Sequence, residues 1–410
     1  MKSIATYFLG YLVAHILLIS IVQSIFCQDL KILELALIFV AFGIAVFNSK
    51  KIILEKSDII IAFLFIFLNI YYTFIELKGL IFFKMTYVIL LSMLLSKVIV
   101  PFLSSNEYLK KINLIYLILL VGLVIEYLYI AIFGNKFLVD LLMCNGEMTG
   151  VRGYIELYNI TREILPYHIQ GLNSLMMAQQ GGQTASQLAV IIFIWYLYKY
   201  KNNKDGVNLS LALLAVLMLF LSPTIASFFL LFISIVIIYL IYLKRILNKP
   251  IKSFLNLYVS IFIVCFVIYL LAKILTIKHT SLDFIYEKYI LGSVAGFTYF
   301  NLKEILLGVS YERELELFEL GEISYVTQLI KFGFVGVGVF YLSIFYYIIR
   351  AFSNKNIQAI VPNVFIIGVF ILGNAHYPVM FSLGVMEIFV LHLAYIIYAG
   401  SNVKKISYSF

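Results

Sequence analysis

Residues 58–75, DIIIAFLFIFLNIYYTFI, and residues 80–103, LIFFKMTYVILLSMLLSKVIVPFL, decide the fold class of this chain. Each run is apolar over about 20 residues, the length of a helix that crosses the hydrocarbon core of a bilayer. A short connection, from Glu76 to Gly79, separates them. The pair therefore predicts two antiparallel transmembrane helices joined by a tight turn.

The composition of the whole chain agrees with this prediction. Of its 410 residues, 63% are hydrophobic and 12% are charged, whereas a soluble domain carries about 25% charged residues. The formal net charge is +9, but the Lys and Arg residues stand mostly at the ends of predicted helices, where membrane orientation and anionic lipids explain them. We therefore expect membrane lipids around the protein and no nucleic-acid partner.

The same apolar pattern recurs along the chain and predicts an all-α, polytopic membrane protein of about twelve transmembrane helices in one membrane domain, residues 1–410. Pro223 separates the seventh run from the eighth, and a single kinked helix there would reverse the sidedness of everything that follows. The predicted helices are 4–27, 31–47, 58–75, 80–103, 112–133, 184–200, 208–221, 224–243, 253–275, 323–350, 357–373 and 379–399.

Basic residues orient this bundle. With the N-terminus in the cytoplasm, every short loop rich in Lys and Arg falls on the cytoplasmic side, including Lys50–Lys51, Lys110–Lys111 and Lys244–Arg245. The opposite short connections carry little charge, which is the asymmetry expected of an inner-membrane protein. This regularity favours twelve helices over eleven and predicts that both termini are cytoplasmic.

Two connections are long, and both fall outside: outer loop one, residues 134–183, and outer loop two, residues 276–322. Long loops in compact proteins are usually functional or disordered. These two also contain aromatic and aliphatic residues, so we expect them to fold as short helices on the outer membrane face. They carry most of the polar chemistry of the chain, including Arg152, Arg162, His168, Arg313 and Glu322.

The transmembrane segments are predicted to be poor in ionisable groups. Glu126, Lys84 and Lys273 stand toward the outer ends of their helices, and the two lysines suit an interfacial position. No chain of acids is expected to cross the membrane midplane, which disfavours an ion-coupled transporter. The three cysteines show no metal-ligand spacing, so neither a metal nor a cofactor is predicted.

The arginines of the outer loops are candidate phosphate ligands. A guanidinium group binds phosphate oxygens in bidentate fashion and is always charged. Arg152, Arg162 and Arg313 are the three arginines on the predicted outer face. The alternative is that Arg162 and Arg313 simply pair with neighbouring acids, such as Glu163 and Glu312.

The stretch from Leu306 to Gly336 carries the most specific pattern. A loop with Gly308 and Arg313 leads into a predicted helix that begins at Glu322, and Glu322, Tyr325 and Leu329 share one face of that helix. An acid in the first turn also has a structural explanation, because the helix dipole stabilises it. The glycines at 333, 336 and 338 predict close helix packing.

This layout resembles the O-antigen polymerase and ligase superfamily. The resemblance covers the general arrangement of the chain: many helices, an outer loop with Arg, and a second outer loop that ends in an acid leading into Tyr325-x-x-x-Leu329-x-x-x-Gly333-x-x-Gly336. The segment from Arg162 to Ala185, with Gly171 and Asn173, is similar to a degenerate form of the arginine loop of the family. Its specific motif is confined to about residues 306–340.

The resemblance implies a GT-C-like glycosyltransferase of the Wzy polymerase type. Such an enzyme joins undecaprenyl-diphosphate-linked oligosaccharides at the outer face of the bacterial cytoplasmic membrane, with a chain-length regulator protein as a further partner. It implies catalytic roles for Glu322, Arg313 and His376, and substrate-binding roles for Arg152, Arg162, His168 and Tyr325.

Two departures leave alternatives open. Ligases of the superfamily commonly have a His where this chain has Glu322, which favours a polymerase over an O-antigen ligase. Many members carry Ser-Arg at the outer turn where this chain has Ser222-Pro223-Thr224, so Arg313 would have to replace that arginine. A flippase for lipid-linked oligosaccharides is the third reading, for which charged residues would line the bundle interior.

Overall fold

In a computed structural model of the chain, every described element is helical, and none of the described residues lies in a strand. The structure describes residues 6–17, 55–74, 79–102, 105–133, 181–221, 230–231, 300–310, 324–352, 357–373 and 385–401, together with residues 36, 40 and 43. The all-α prediction is confirmed over these residues. The predicted helix 253–275 and most of 31–47 and 224–243 lie outside them.

The structure describes ten α-helices, and nine of them follow the order of the predicted transmembrane helices. The helix predicted to begin at residue 112 begins earlier, at Ser105, because the polar first turns with Glu107 were not part of the apolar run. The described part of the last helix begins at Val385, six residues after the predicted start. The helices are α1 Thr6–Leu17, α2 Lys56–Phe74, α3 Gly79–Val98, α4 Ser105–Phe133, α5 Gly181–Asn203, α6 Gly206–Leu221, α7 Leu302–Leu307, α8 Ser324–Phe352, α9 Ile357–Gly373 and α10 Val385–Gly400.

Three of the described helices are long and apolar enough to cross a membrane: α2, the part of α4 from Glu107 to Ile125, and the part of α8 from Thr327 to Phe352. Helix α2 also exposes a continuous face of large apolar side chains, including Ile60, Phe63 and Phe67. Soluble proteins rarely expose an apolar patch of this extent. These helices therefore have the surface expected of a membrane protein.

Helix α10 lies at the centre of the described bundle. Each of its residues from Val385 to Ile397 is buried, and it packs against α3, α8 and α9. A helix that is apolar and buried on all sides belongs to the interior of a large or membrane-embedded core. Any polar side chain on α10 is consequently held away from the surface of the described bundle.

Helices α2, α3 and α8 form a unit with two distinct ends. At one end Tyr72, Phe82 and Phe332 form an aromatic layer, with ring centroids 4.6 Å apart for Tyr72–Phe82 and 5.3 Å apart for Phe332 and each of the other two. At the other end the Lys97 Nζ and Asp58 Oδ2 atoms form an ion pair at 2.9 Å. The residues at the two ends are 14 or 15 positions apart on each helix: Asp58 and Tyr72 on α2, Phe82 and Lys97 on α3, and Phe332 and Tyr347 on α8. At ~1.5 Å per residue, the two ends are therefore about 21–23 Å apart.

The ionic end is an extended network. The Tyr347 hydroxyl donates to the second oxygen of Asp58 at 3.2 Å, and Arg350 forms an ion pair with Glu55 in the segment that leads into α2. The aromatic layer, in contrast, stands next to the short connection between α2 and α3. The ionic network therefore lies at one end of the α2–α3–α8 unit, and the aromatic layer lies at the other.

Helix α8 is interrupted at Gly333, whose backbone is not helical (φ 58, ψ −175). The short helix α7 packs against this break, and a Cβ atom at Gly333 would lie 2.3 Å from the carbonyl group of Leu306. At Gly308 a Cβ atom would come equally close to the Lys331 carbonyl oxygen. Both positions have a positive φ, which glycine adopts without steric cost.

Two of the three glycines that were predicted to permit close packing in α8 do so. Gly333 contacts the backbone of α7, and a Cβ atom at Gly336 would lie 2.8 Å from the Tyr72 hydroxyl oxygen. The prediction is wrong for Gly338 over the part of the chain that the structure describes, because a Cβ atom there would meet none of it within 4 Å. The spacing of the glycines could not show that only the first two face α7 and α2.

Candidate functional site

Six of the seven residues predicted from the sequence to form the site lie outside the described residues: Arg152, Arg162, His168, Arg313, Glu322 and His376. The seventh, Tyr325, is the second residue of α8, and its side chain is also outside the described part. Their predicted roles stay predictions. What the structure does describe is the framework on both sides of the segment 311–323.

That framework is a junction between α7 and the first part of α8. Asn301 caps α7 in a capping box: its side chain accepts from the Glu304 amide, and the Glu304 carboxylate accepts from the Asn301 amide, both at 2.9 Å. The box fixes the start of α7, as such reciprocal caps do. A short helix is present within residues 276–322, as predicted, and its position on the outer membrane face stays a prediction.

The chain then leaves α7 and attaches to α8. The Val309 amide donates to the carbonyl oxygen of Ile330 at 2.9 Å, and the Tyr72 hydroxyl donates to that of Phe332 at 2.5 Å. A helix break frees carbonyl groups in the preceding turn, and buried backbone groups need partners. These two bonds supply donors for the break at Gly333, and the Val309 bond attaches the start of the segment 311–323 to the helix that the segment enters at its end.

A second candidate site lies inside the bundle, on α10. Glu387 is 0% exposed, and its Oε1 atom accepts a hydrogen bond from the Tyr87 hydroxyl at 3.2 Å. The His15 Nε2 atom lies 3.4 Å from the same oxygen. Among the described residues, the Glu387 Oε2 atom has no hydrogen-bond partner. The carboxylate thus joins α1, α3 and α10 but leaves one of its oxygens unsatisfied.

By comparison, both ring nitrogens of His392, five residues further along α10, have hydrogen-bond partners. Its Nδ1 atom lies 2.7 Å from the Asn363 amide oxygen, and its Nε2 atom lies 2.5 Å from the Tyr116 hydroxyl. Because an amide oxygen only accepts, Nδ1 carries the hydrogen and Nε2 accepts from Tyr116. The ring also packs on Tyr116 and edge-to-face on Trp195. His392 therefore fits a structural role that connects α4, α9 and α10.

The prediction that the transmembrane segments are poor in ionisable groups is wrong for this bundle. His15, Asp58, Lys97, Glu387 and His392 are all buried. Sequence reasoning missed them because single ionisable residues barely change the average polarity of an apolar run. Glu387 and His392 both stand in the run from Val385 to Gly400, and this placement is the signal that could have identified them.

The structure describes only some of the other residues that were singled out in the predicted transmembrane segments. Lys84 is partly exposed on α3, the Glu126 side chain and Lys273 lie outside the described part of the chain, and so do Cys27, Cys144 and Cys265. Over the residues that the structure describes, no group of three His, Cys, Asp or Glu side chains is arranged to hold a metal ion.

Comparison with known proteins identifies no relative. The chain matches no protein-family model, no curated protein and no solved structure. The likeness to the O-antigen polymerase and ligase superfamily therefore rests on the layout and on the motif between residues 306 and 340.

Proposed function

We propose that this chain is a polysaccharide polymerase that joins undecaprenyl-diphosphate-linked oligosaccharide repeat units into O-antigen or capsular polysaccharide. In this proposal it is an inner-membrane protein of about twelve spans, with both termini cytoplasmic and with outer loops one and two in the periplasm. The reaction transfers the growing chain from its lipid diphosphate to a hydroxyl group of the next lipid-linked unit. The lipid diphosphate then leaves.

The observation that carries the proposal is the attachment of outer loop two to α8. Val309 donates to Ile330 at 2.9 Å beside the break at Gly333, so the two halves of the motif from Leu306 to Gly336 belong to one structural unit. In sequence, Arg313 follows Ser310 by three residues, and Glu322 precedes Ser324 by two. Arg313 and Glu322, a cation and an acid, therefore belong to one short segment that starts beside the Val309–Ile330 hydrogen bond and leads into α8.

The proposed chemistry needs one group of each kind. An arginine stabilises the negative charge that develops on the departing diphosphate, and its planar fork matches the phosphate oxygens. A carboxylate within hydrogen-bond reach orients or deprotonates the acceptor hydroxyl. Arg313 and Glu322 take these roles in the proposal, with Arg152, Arg162, His168 and Tyr325 binding substrate and His376 in reserve as a second base.

The substrate lipids need apolar surfaces that open to the bilayer. The exposed apolar face of α2, with Phe63 and Phe67, and the exposed residues Leu342 and Phe345 of α8 offer such surfaces on the two helices that the Tyr72–Phe332 hydrogen bond connects. Long polyprenyl chains bind to faces of this kind through burial of apolar area. The growing polysaccharide would then extend away from the membrane.

The test is the polysaccharide profile of a strain that lacks the protein, with the strain complemented by the wild-type chain as the control. A product that carries a single repeat unit means that polymerisation alone has failed, and this is the expected result. Loss of all repeat units would mean an O-antigen ligase or a flippase instead. An unchanged profile would contradict every function in this class.

A flippase or other transporter of lipid-linked oligosaccharides is the second candidate, and one observation favours it. The buried pair of Glu387 and His15 is an acid and a base inside the helix bundle, and buried ionisable residues commonly mark substrate or proton pathways in transporters. A transporter would leave unflipped lipid-linked repeat units on the cytoplasmic side when deleted. A polymerase would leave them outside, joined to the final acceptor one at a time.

A further inference from the structure

Glu387 and His15 are two titratable groups in direct contact within a fully buried environment. Their side chains are 0% and 2% exposed, and 3.4 Å separates Glu387 Oε1 from His15 Nε2. Their level in the bundle follows from Tyr87, which is five residues beyond Phe82 on α3 and therefore about 8 Å from the aromatic layer. The pair lies inside the bundle, away from both ends of the α2–α3–α8 unit.

The apolar surroundings determine how many protons this pair holds. An ionised carboxylate beside a neutral imidazole would leave one buried negative charge, and a neutral acid beside an imidazolium would leave one buried positive charge. Each isolated buried charge costs several kcal/mol. With one proton the pair is neutral overall, whether the proton is on His15 Nε2 or on Glu387.

The hydrogen bonding around the pair is incomplete in both of these neutral forms. Glu387 Oε1 accepts from Tyr87, but Oε2 has no partner among the described residues, and His15 Nε2 makes no well-oriented hydrogen bond despite its proximity to Oε1. Buried polar groups normally have partners, and an exception in a native protein calls for an explanation. Neither neutral form therefore gives every polar atom of the pair a partner among the described residues.

The other buried ionisable groups differ in their partners, although the Lys97 Nζ atom beside Asp58 likewise makes no well-oriented hydrogen bond among the described residues. Asp58 faces a lysine rather than an imidazole, with Tyr347 as a second donor. The His392 ring has a partner on each nitrogen. Among the described residues, the groups that face Glu387 are His15 from α1 and Tyr87 from α3.

We infer that Glu387 and His15 form an exchangeable proton-binding site inside the helix bundle, in which Tyr87 positions the carboxyl group. The proton moves between His15 Nε2 and Glu387 Oε1 and exchanges with solvent. None of these three residues has a role in the proposed polymerase reaction.

The test is infrared difference spectroscopy of the purified full-length protein in lipid nanodiscs. Because the proton of the pair is on Glu387 for part of the time, the spectrum should contain a carboxylic-acid carbonyl band, and exchange of H₂O for D₂O should shift this band. The band should be lost in Glu387→Gln and retained in Asp205→Asn. Asp205 is an exposed acid between α5 and α6 and serves as the matched control.

A second variant keeps the test decisive if Glu387→Gln fails to fold. Tyr87→Phe retains the carboxyl group but removes the hydrogen bond to Oε1, so the band should persist at a changed frequency. Absence of an exchangeable carboxylic-acid band in the wild type, a band unchanged in Glu387→Gln, or a band unchanged in frequency in Tyr87→Phe would each overturn the inference. Such results would leave the contact as a static link between α1 and α10.

Discussion

The Tyr72 hydroxyl donates a hydrogen bond to the carbonyl oxygen of Phe332, 2.5 Å away, one residue before the break in α8 at Gly333. A carbonyl freed by a helix break is costly in apolar surroundings, because no water is present to satisfy it. The bond gives the carbonyl oxygen beside the break a partner, so the fold accommodates the break. It joins α2 to the same turn of α8 that receives Val309 from outer loop two.

The break at Gly333 predicts a sharp difference between two glycines of the same helix. Gly333→Ala should destabilise the protein by more than ~3 kcal/mol, because a positive φ is strained for alanine and because its Cβ atom would overlap the Leu306 carbonyl group. Gly338→Ala is the control. It should be neutral or stabilise the helix by up to ~1 kcal/mol, since a Cβ atom there meets nothing within 4 Å.

Thermal unfolding of the detergent-purified variants measures this difference. Equal melting temperatures for the two alanine variants would contradict the close contact between α7 and α8. A loss of folded Gly333→Ala protein together with normal yields of Gly338→Ala would agree with it.

The buried ion pair between Lys97 and Asp58 predicts strong coupling between α2 and α3. Lys97→Met should cost about 3–5 kcal/mol, because it leaves the Asp58 carboxylate buried without its cation. The double variant Lys97→Met/Asp58→Asn should recover much of this loss, because no buried charge then remains. A double-mutant cycle on unfolding free energies checks the prediction. Additive effects of the two substitutions would show that the pair does not interact.

The two ends of the α2–α3–α8 unit predict opposite sides of the membrane. The ionic end, with Asp58 and Lys97, should be cytoplasmic, and the aromatic layer should face outside. On the same topology, reporter fusions at Asn203, the last residue of α5, and at Glu147, in outer loop one, should report opposite sides. The same sidedness at both positions would contradict the predicted topology and with it the outer location of the site.

Much of the helical order could be predicted from the sequence, because an apolar run of about 20 residues leaves few alternatives to a helix. The order from α2 to α4 and from α8 to α10 follows directly from such runs. The residues at which helices begin were harder to predict from the sequence. The first two turns of α4, from Ser105, are polar and read as a loop, although Tyr108 there is buried and donates to the Leu391 carbonyl oxygen at 2.7 Å.

The buried polar groups could not be predicted because they depend on which helices meet. His15, Tyr87 and Glu387 are distant in sequence, and nothing in their local patterns pairs them. The break at Gly333 was equally hidden: three glycines at 333, 336 and 338 all permit close packing, and only the position of α7 distinguishes the first. The predicted outer site depends on residues outside the described part, so it remains a prediction from the motif.

The outer arginines predict a specific ranking of substitutions. At least one of Arg152, Arg162 and Arg313 should bind the donor diphosphate, and there Arg→Lys should reduce polymerisation nearly as much as Arg→Ala. The reason is that lysine keeps the charge but lacks the planar fork that binds two oxygens. Polymer length on gels, at matched protein levels, measures the effect. Full-length polymer from all three alanine variants would rule out this role.

The most direct test of the proposed function is the rate at which purified Glu322→Gln protein polymerises lipid-linked repeat units. If the Glu322 carboxylate accepts the proton of the acceptor hydroxyl, the rate should fall by about 100-fold or more, while the melting temperature changes little. Glu304→Gln is the matched control, because Glu304 caps α7 on the same outer segment and should retain the wild-type rate. A wild-type rate in Glu322→Gln would contradict the proposed role and leave Glu322 as a helix-end charge worth about 0.3–1 kcal/mol.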